Sequence, residues 1–260
     1  MSLVTCTIDS DGIATVTLQD EANLNAMSDE MARDFSAVID QLRVKKNARV
    51  IILTGAGKAF SAGGHLAMLE AKRSLSRQEN HAQMLKFYAS FLSILDLQVP
   101  LIAALHGAAV GAGLCLACAC DVRISTRDAK LGLTFLKLGL HPGMGATYFV
   151  PRIVGSSMAT ELLISARVIN AEEALRINLV SRLCEKSTLL SAANSIAHEI
   201  LACGPNASTQ LLETMRGDPA QLLQALEREA ACQSINYASA EFAEGLAAIR
   251  EKRAPIFPKS

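Results

Sequence analysis

Tryptophan is absent from this chain, and aromatic residues make up only 4% of its 260 positions. So few aromatic faces argue against a base-stacking platform for single-stranded nucleic acid. Net charge is absent as well, because 25 lysines and arginines balance 25 aspartates and glutamates. No long-range field draws the protein to nucleic acid or to an anionic membrane surface, so an anionic ligand has to be held by local geometry. The opening segment, "MSLVTCTIDSDGIATVTL", lacks a basic stretch followed by an apolar run. No export signal is expected from it, and a cytoplasmic location is. The seven cysteines are odd in number and scattered, which makes a disulfide framework a poor expectation and reduced thiols the better one.

Charge is also missing from one internal stretch. Val99 to Cys120 contains no Asp, Glu, Lys or Arg and is long enough to cross a bilayer. Pro100, Gly107, Gly111 and Gly113 punctuate it, however. A strand at "PLIAAL", a glycine turn and a buried helix account for the same letters, with each breaker at a boundary.

What is present reads as an α/β protein. With half of its residues apolar, the chain can fill one sizeable core, alone or with a small helical appendage. The first eighteen residues alternate about an Asp-Gly turn like a hairpin. Ser28 is placed to cap a helix in which Met31, Phe35, Val38, Ile39 and Leu42 recur at helical spacing. "ARVIILT" reads as a fully buried strand running into the glycine-rich "GAGKAFSAGG" and then the helical "HLAMLEA". A longer helix around Glu79 to Leu95 precedes "PLIAALHG", which repeats the order of strand, glycine turn and helix. That alternation predicts crossover connections and a largely parallel sheet buried on both faces. Beyond Gly155 the pattern is helical apart from a short strand at "LVSRL". "GPNAS" then interrupts it, with Asn206 as a candidate cap.

Each glycine turn brings a backbone with few side chains to a helix entrance, where main-chain N–H groups lack intrahelical partners. Two such entrances converging on one oxygen suit a developing oxyanion, for which a single donor is worth about 100-fold or more in rate. The plainer alternative is that the glycines only let strands enter helices. Nucleotide motifs fit badly. "GAGKAF" has Phe60 where a dinucleotide fingerprint needs glycine, and Gly57-Lys58 lacks the flanking residues of a phosphate-binding P-loop.

The ordered set "GAGKAFSAGGHL", "PLIAALHGAAVGAGLCLACACDVRI", "LGLHPGMGATYFVPRIVG" and "EGLAAIREKRAPIF" resembles the crotonase (enoyl-CoA hydratase/isomerase) superfamily over nearly the whole chain. The resemblance implies a crotonase-like spiral of repeated ββα units over 1–200. It also implies a helical C-terminal region over 201–260 that supports trimerisation and covers coenzyme A, with a homotrimer or a hexamer of two trimers as the assembly. It further implies an acyl-CoA thioester as substrate, with no separate cofactor and no metal. The thioester carbonyl would lie between the main-chain amides of Gly64 and Ala112. Ala62 and Leu66 would lie along the coenzyme A path, with Lys252 near its phosphates. Lys252 also suits a solvated helix face.

The sequence departs from that pattern where acid and base are expected. The two glutamates of the family's hydratases fall on Cys115 and Phe135, the aspartate seen after the first amide donor is His65, and no acid stands at Gly143 or Met144. A positioned acid or base contributes about 100- to 10,000-fold, so the standard hydration route is not expected. Decarboxylation or isomerisation through a thioester enolate, and acyl-CoA binding without turnover, both stay open. Cys115, Cys118 and Cys120 lack the histidine partners and shared face of a zinc site. Cys115 is a candidate thiol nucleophile if its place in the first helical turn favours the thiolate. Apolar burial acts the other way and would leave it a pocket-shaping residue. His141 is a candidate proton carrier, since imidazole titrates near neutrality. Packing at the turn before Pro142 is the competing reading. Tyr148 and Tyr237 are further candidates for proton donation.

Overall fold

The computed structural model describes residues 2–258. The amino-terminal hairpin pairs β1 (Val4–Ile8) with β2 (Ile13–Leu18) in antiparallel register. Its turn is made by Asp9, whose side-chain oxygen accepts from the amides of Asp11 and Ile13, and by Gly12 at φ +86°, a conformation glycine adopts without a Cβ penalty. Helix α1 (Asp29–Lys45) starts where Ser28 Oγ accepts from the Met31 amide at 3.1 Å, and it buries Met31, Phe35, Ile39 and Leu42. The helical period in the sequence therefore predicts its inner face.

The remaining strands are β3 (Val50–Gly55), β4 (Leu101–Leu105), β5 (Ala108–Val110), β6 (Val122–Thr126), β7 (Lys130–Gly132), β8 (Val168–Asn170) and β9 (Arg182–Cys184). Six form one sheet in the order β1-β2-β3-β4-β6-β9, parallel except for the first pair. The other three form a small sheet, β5-β7-β8. The other helices are α2 (Leu66–Ala71), α3 (Arg77–Leu92), α4 (Ala112–Cys118), α5 (Ala146–Val154), α6 (Ser156–Ser165), α7 (Ala171–Arg176), α8 (Leu189–Leu201), α9 (Pro205–Arg216), α10 (Pro219–Asn236) and α11 (Ala240–Arg250).

Every residue of β3 is buried because the sheet is covered on both faces. Val50 and Ile52, with Ile102 and Ala104 of β4, pack toward Leu189, Ala193 and Ile196 of α8. Ile51 and Leu53, with Leu101 and Ala103, face the larger core. Alternate side chains thus serve different layers, and the strand reads as one unbroken apolar run.

The uncharged stretch from Val99 divides into β4, β5 and α4, and among the described residues no helix is long and apolar enough to cross a membrane. Three expectations are refined. The second glycine turn contains β5, the strand expected at "LVSRL" narrows to β9, and β8 lies in a segment read as helical. Asn206 is not a cap: Gly204 takes that position and Pro205 begins the helix, as proline's missing N–H and fixed φ favour.

Candidate active site

The two glycine turns are laced together by their main chains. The Phe60 amide donates to His106 O at 2.8 Å, the Ser61 amide to Ala108 O at 3.0 Å, and the Val110 amide to Ser61 O at 3.0 Å. Ser61 Oγ donates to Asn25 O at 2.8 Å and accepts from the Gly63 amide at 3.2 Å. The segment before α1 adds a third strand of contacts, with Met27 N–H donating to Gly63 O and His65 N–H to Met27 O. Side chains are excluded where the chains cross. A Cβ on Gly113 would lie 2.6 Å from both Cβ and Oγ of Ser61, and one on Gly63 would lie 2.7 Å from Val110 O.

This lacing brings together two amides that have no protein partner. Gly64 N–H and Ala112 N–H make no hydrogen bond among the described residues, while their neighbours Gly63, His65 and Gly111 all donate. The turns are in contact at this point, since a Cβ on Gly63 would sit 3.6 Å from Ala112 N. Both Gly64 and Ala112 line a cavity of about 810 Å³. Two fixed donors facing a mostly apolar space can stabilise negative charge on one oxygen without reorganising.

Of the residues singled out in the sequence, Ala62, Gly64, Leu66, Ala112 and Phe135 line this cavity. Cys115 and His141 do not. Cys115 is fully buried within α4, and burial, followed by the nearby Cys118 and Glu229, raises its thiol well above the ordinary value. Its place in the first helical turn does not produce a stabilised thiolate, because desolvation of the anion dominates. His141 donates its main-chain N–H to Asn236 Oδ1, and its ring Nδ1 lies 2.7 Å from Pro142 O, which is the packed arrangement. Lys252 is exposed just beyond α11, next to a helix end whose Ile249 lines the cavity. Arg250 pairs with Glu70, and Arg253 with Glu244 and Glu251, whereas Lys252 has no ion pair among the described residues.

Among the described residues no aspartate or glutamate lines the cavity. Its titratable side chains are His65, Tyr88, Lys137 and Tyr237. Tyr88 and its partner Gln233 were not singled out in the sequence, because Tyr88 falls at helical spacing with Met84 and Phe91 and reads as core. Glu229 was missed as well. It lies behind the wall on α10 and accepts from Gly145 N–H, Thr147 N–H and Thr147 Oγ1 at 2.8, 2.8 and 2.6 Å. It thereby fixes the loop in which Met144 (φ +60°) and Gly145 (φ +75°) turn toward α5. Other carboxylates are engaged elsewhere: Asp121 pairs with Arg216, and Glu161 with Arg167. No cluster of three or more metal-ligating side chains occurs among the described residues.

A two-sided sheet, laced glycine turns and two partnerless amides at an apolar cavity form an arrangement that can polarise a carbonyl. Known proteins sharpen that reading. Residues 9–260 match the family described as enoyl-CoA hydratase/isomerase. The chain is 34% identical over 251 residues to the mitochondrial methylglutaconyl-CoA hydratase of Homo sapiens, covering 95% of this chain and 74% of that one. It superposes on the enoyl-CoA hydratase of Bacillus halodurans with a TM-score of 0.87 at 27% identity, covering 95% of this chain and all of the other. It superposes on an enoyl-CoA hydratase of Mycobacterium avium subsp. paratuberculosis with a TM-score of 0.86 at 25% identity, covering 100% of both. The chain belongs to the enoyl-CoA hydratase/isomerase family, and its fold is the crotonase fold.

Proposed function

We propose that this protein is an acyl-CoA enzyme that holds a thioester carbonyl between the amides of Gly64 and Ala112 and stabilises the enolate formed at the adjacent carbon. The observation that carries this reading is the pair of partnerless amides meeting at one cavity. Negative charge building on the thioester oxygen is met by donors already in place, so the amides favour the enolate over the ground state. The absence of any carboxylate from the lining among the described residues speaks against hydration of a double bond by two carboxylates. Decarboxylation and isomerisation need the oxyanion site more than they need that pair, and both remain within reach of this cavity. Ala62 and Leu66 guide coenzyme A toward the amides, and exposed Lys252 meets its phosphates. The helical region 201–260 covers the ligand and joins subunits into a trimer or a pair of trimers. Leu211, Met215 and Leu223, exposed at 59%, 67% and 66% on α9 and α10, support that assembly role.

The deciding experiment is a product screen by mass spectrometry over saturated, unsaturated, hydroxylated and malonyl-type acyl-CoAs, with crotonyl-CoA as the hydration control. Turnover of one class without hydration of crotonyl-CoA is the expected result. Crotonyl-CoA consumption at ordinary hydratase rates overturns the reading of the missing carboxylates. A second reading, an acyl-CoA-binding protein without turnover, is favoured by the same absence of carboxylates from the described lining. Tight binding across the panel with no product would establish it.

A further inference from the structure

One part of the cavity wall is polar without being charged. Tyr88 of α3, Gln233 of α10 and Tyr237 at the end of α10 all line it, and all three are buried. Gln233 Nε2 lies 2.8 Å from His141 O. A carbonyl only accepts, so the amide nitrogen must face it, and the orientation of the glutamine is fixed. Gln233 Oε1 then faces the two phenols, accepting from Tyr88 Oη at 2.8 Å and from Tyr237 Oη at 3.2 Å. Tyr237 has Met84 Sδ as a second acceptor at 3.2 Å. Gly143 makes room for the cluster, because a Cβ there would lie 2.4 Å from Tyr88 Oη and 2.6 Å from Gln233 Nε2.

With the phenol hydrogens committed, valences are left over. Tyr237 Oη accepts no hydrogen bond among the described residues, and Tyr88 Oη, toward which the Met144 amide is directed, keeps a lone pair to spare. The second hydrogen of Gln233 Nε2 also has no acceptor. A plain hydrocarbon against this wall would leave those spare valences unused, whereas a polar group could fill them. A carboxylate would set negative charge against phenol lone pairs, and the only lysine or arginine on the lining is exposed Lys137. A hydroxyl both donates and accepts, so it matches what the wall offers.

Building on the acyl-CoA reading, we propose that Tyr88, Gln233 and Tyr237 form a specificity site for a neutral hydroxyl group on the acyl chain. Burial raises both phenols above their ordinary values, so the hydrogens that lock Gln233 stay in place across the physiological range. Gln233 and fully buried Tyr237 position the Tyr88 phenol, whose oxygen makes the contact.

The test is calorimetric binding of hexanoyl-CoA, adipoyl-CoA and the 3-, 4-, 5- and 6-hydroxyhexanoyl-CoAs to the intact protein. At least one hydroxylated ligand is expected to bind about tenfold more tightly than hexanoyl-CoA, the worth of one well-made hydrogen bond to a buried partner, with adipoyl-CoA weakest. In the Tyr88→Phe and Tyr237→Phe variants the hydroxyl preference is expected to shrink while affinity for hexanoyl-CoA holds or rises, a split that general loosening of the cavity would not produce. If wild-type protein binds hexanoyl-CoA as tightly as every hydroxylated ligand, the specificity site is refuted and the acyl-CoA reading stands. If no coenzyme A thioester binds, both fall.

Discussion

Arg216 grips Asp121 with two prongs, Nε to Oδ1 at 2.9 Å and Nη2 to Oδ2 at 2.7 Å, and sends other hydrogens to the carbonyls of Leu97 and Val99 at 2.9 Å each. Asp121 also accepts from the Leu101 amide at 2.8 Å. The last residue of α9 is therefore fastened to the start of β4, the strand that leads into the second glycine turn. Both side chains are mostly buried, so removing one strands the other. Arg216→Met is expected to lower unfolding free energy by about 2–4 kcal/mol, somewhat less than the roughly 3–5 kcal/mol for breaking a fully buried pair because both side chains keep some exposure. Urea titration measures this, and a loss below about 0.5 kcal/mol, as for a typical surface change, would show the pair to be idle.

Ala112 occupies the first position of α4, where proline is well tolerated. Ala112→Pro deletes the amide donor without asking the helix for a bond it makes. Turnover of whichever acyl-CoA the product screen reveals should fall by about 100-fold or more, with the circular dichroism spectrum unchanged. Full activity in a folded variant would remove Ala112 from the mechanism.

Glu229 is fully buried, and burial raises its carboxyl above the ordinary range against the pull of its hydrogen bonds from Thr147 and Gly145. A raised folded-state pKa means the folded protein keeps this proton to higher pH than the unfolded chain does. Its contribution to stability is then complete below the unfolded value of 4.5 and is lost as pH rises through the folded one. Relative to Glu229→Gln, the wild type should lose stability as pH climbs through that window. Urea midpoints for the pair across a pH series check this, and parallel curves would mean that Glu229 titrates as in the unfolded chain.

Cys118 and Cys120 are pushed up by burial to about 11 and about 12, and Cys115 is raised too. Thiolates are the reactive form, so a disulfide reagent at pH 8 should label exposed Cys203 first and leave these three unmodified in the native state. Cys115→Ala should retain turnover, and intact mass spectrometry of the wild type with acyl-CoA should show no adduct. A wild-type adduct missing from the variant would reinstate covalent chemistry.

The features legible in the sequence are those with local causes. The Ser28 cap, the Asp11-Gly12 turn and the unbroken apolar run of β3 each carry their signal within a few residues. The three-residue strands β5 and β8 have no period to read, and they exist because Ala108 meets Lys130 and Lys130 meets Asn170 across the chain. Glycine-rich turns announce a close main-chain approach, but the choice of Gly64 and Ala112 within them rests on the family resemblance. Cys115 shows the limit of the same reasoning: a position in a motif fixes a Cα, while the direction of the side chain depends on packing that the motif does not encode. Gln233 carried no signal, since one polar residue on a long amphipathic helix looks like part of its wet side.

The donors at Gly64 and Ala112 belong to the backbone, and the lacing between Phe60 and Val110 that brings them together is backbone as well. Exchange of side chains can therefore reshape the surrounding cavity wall without removing either donor or the frame that sets their spacing.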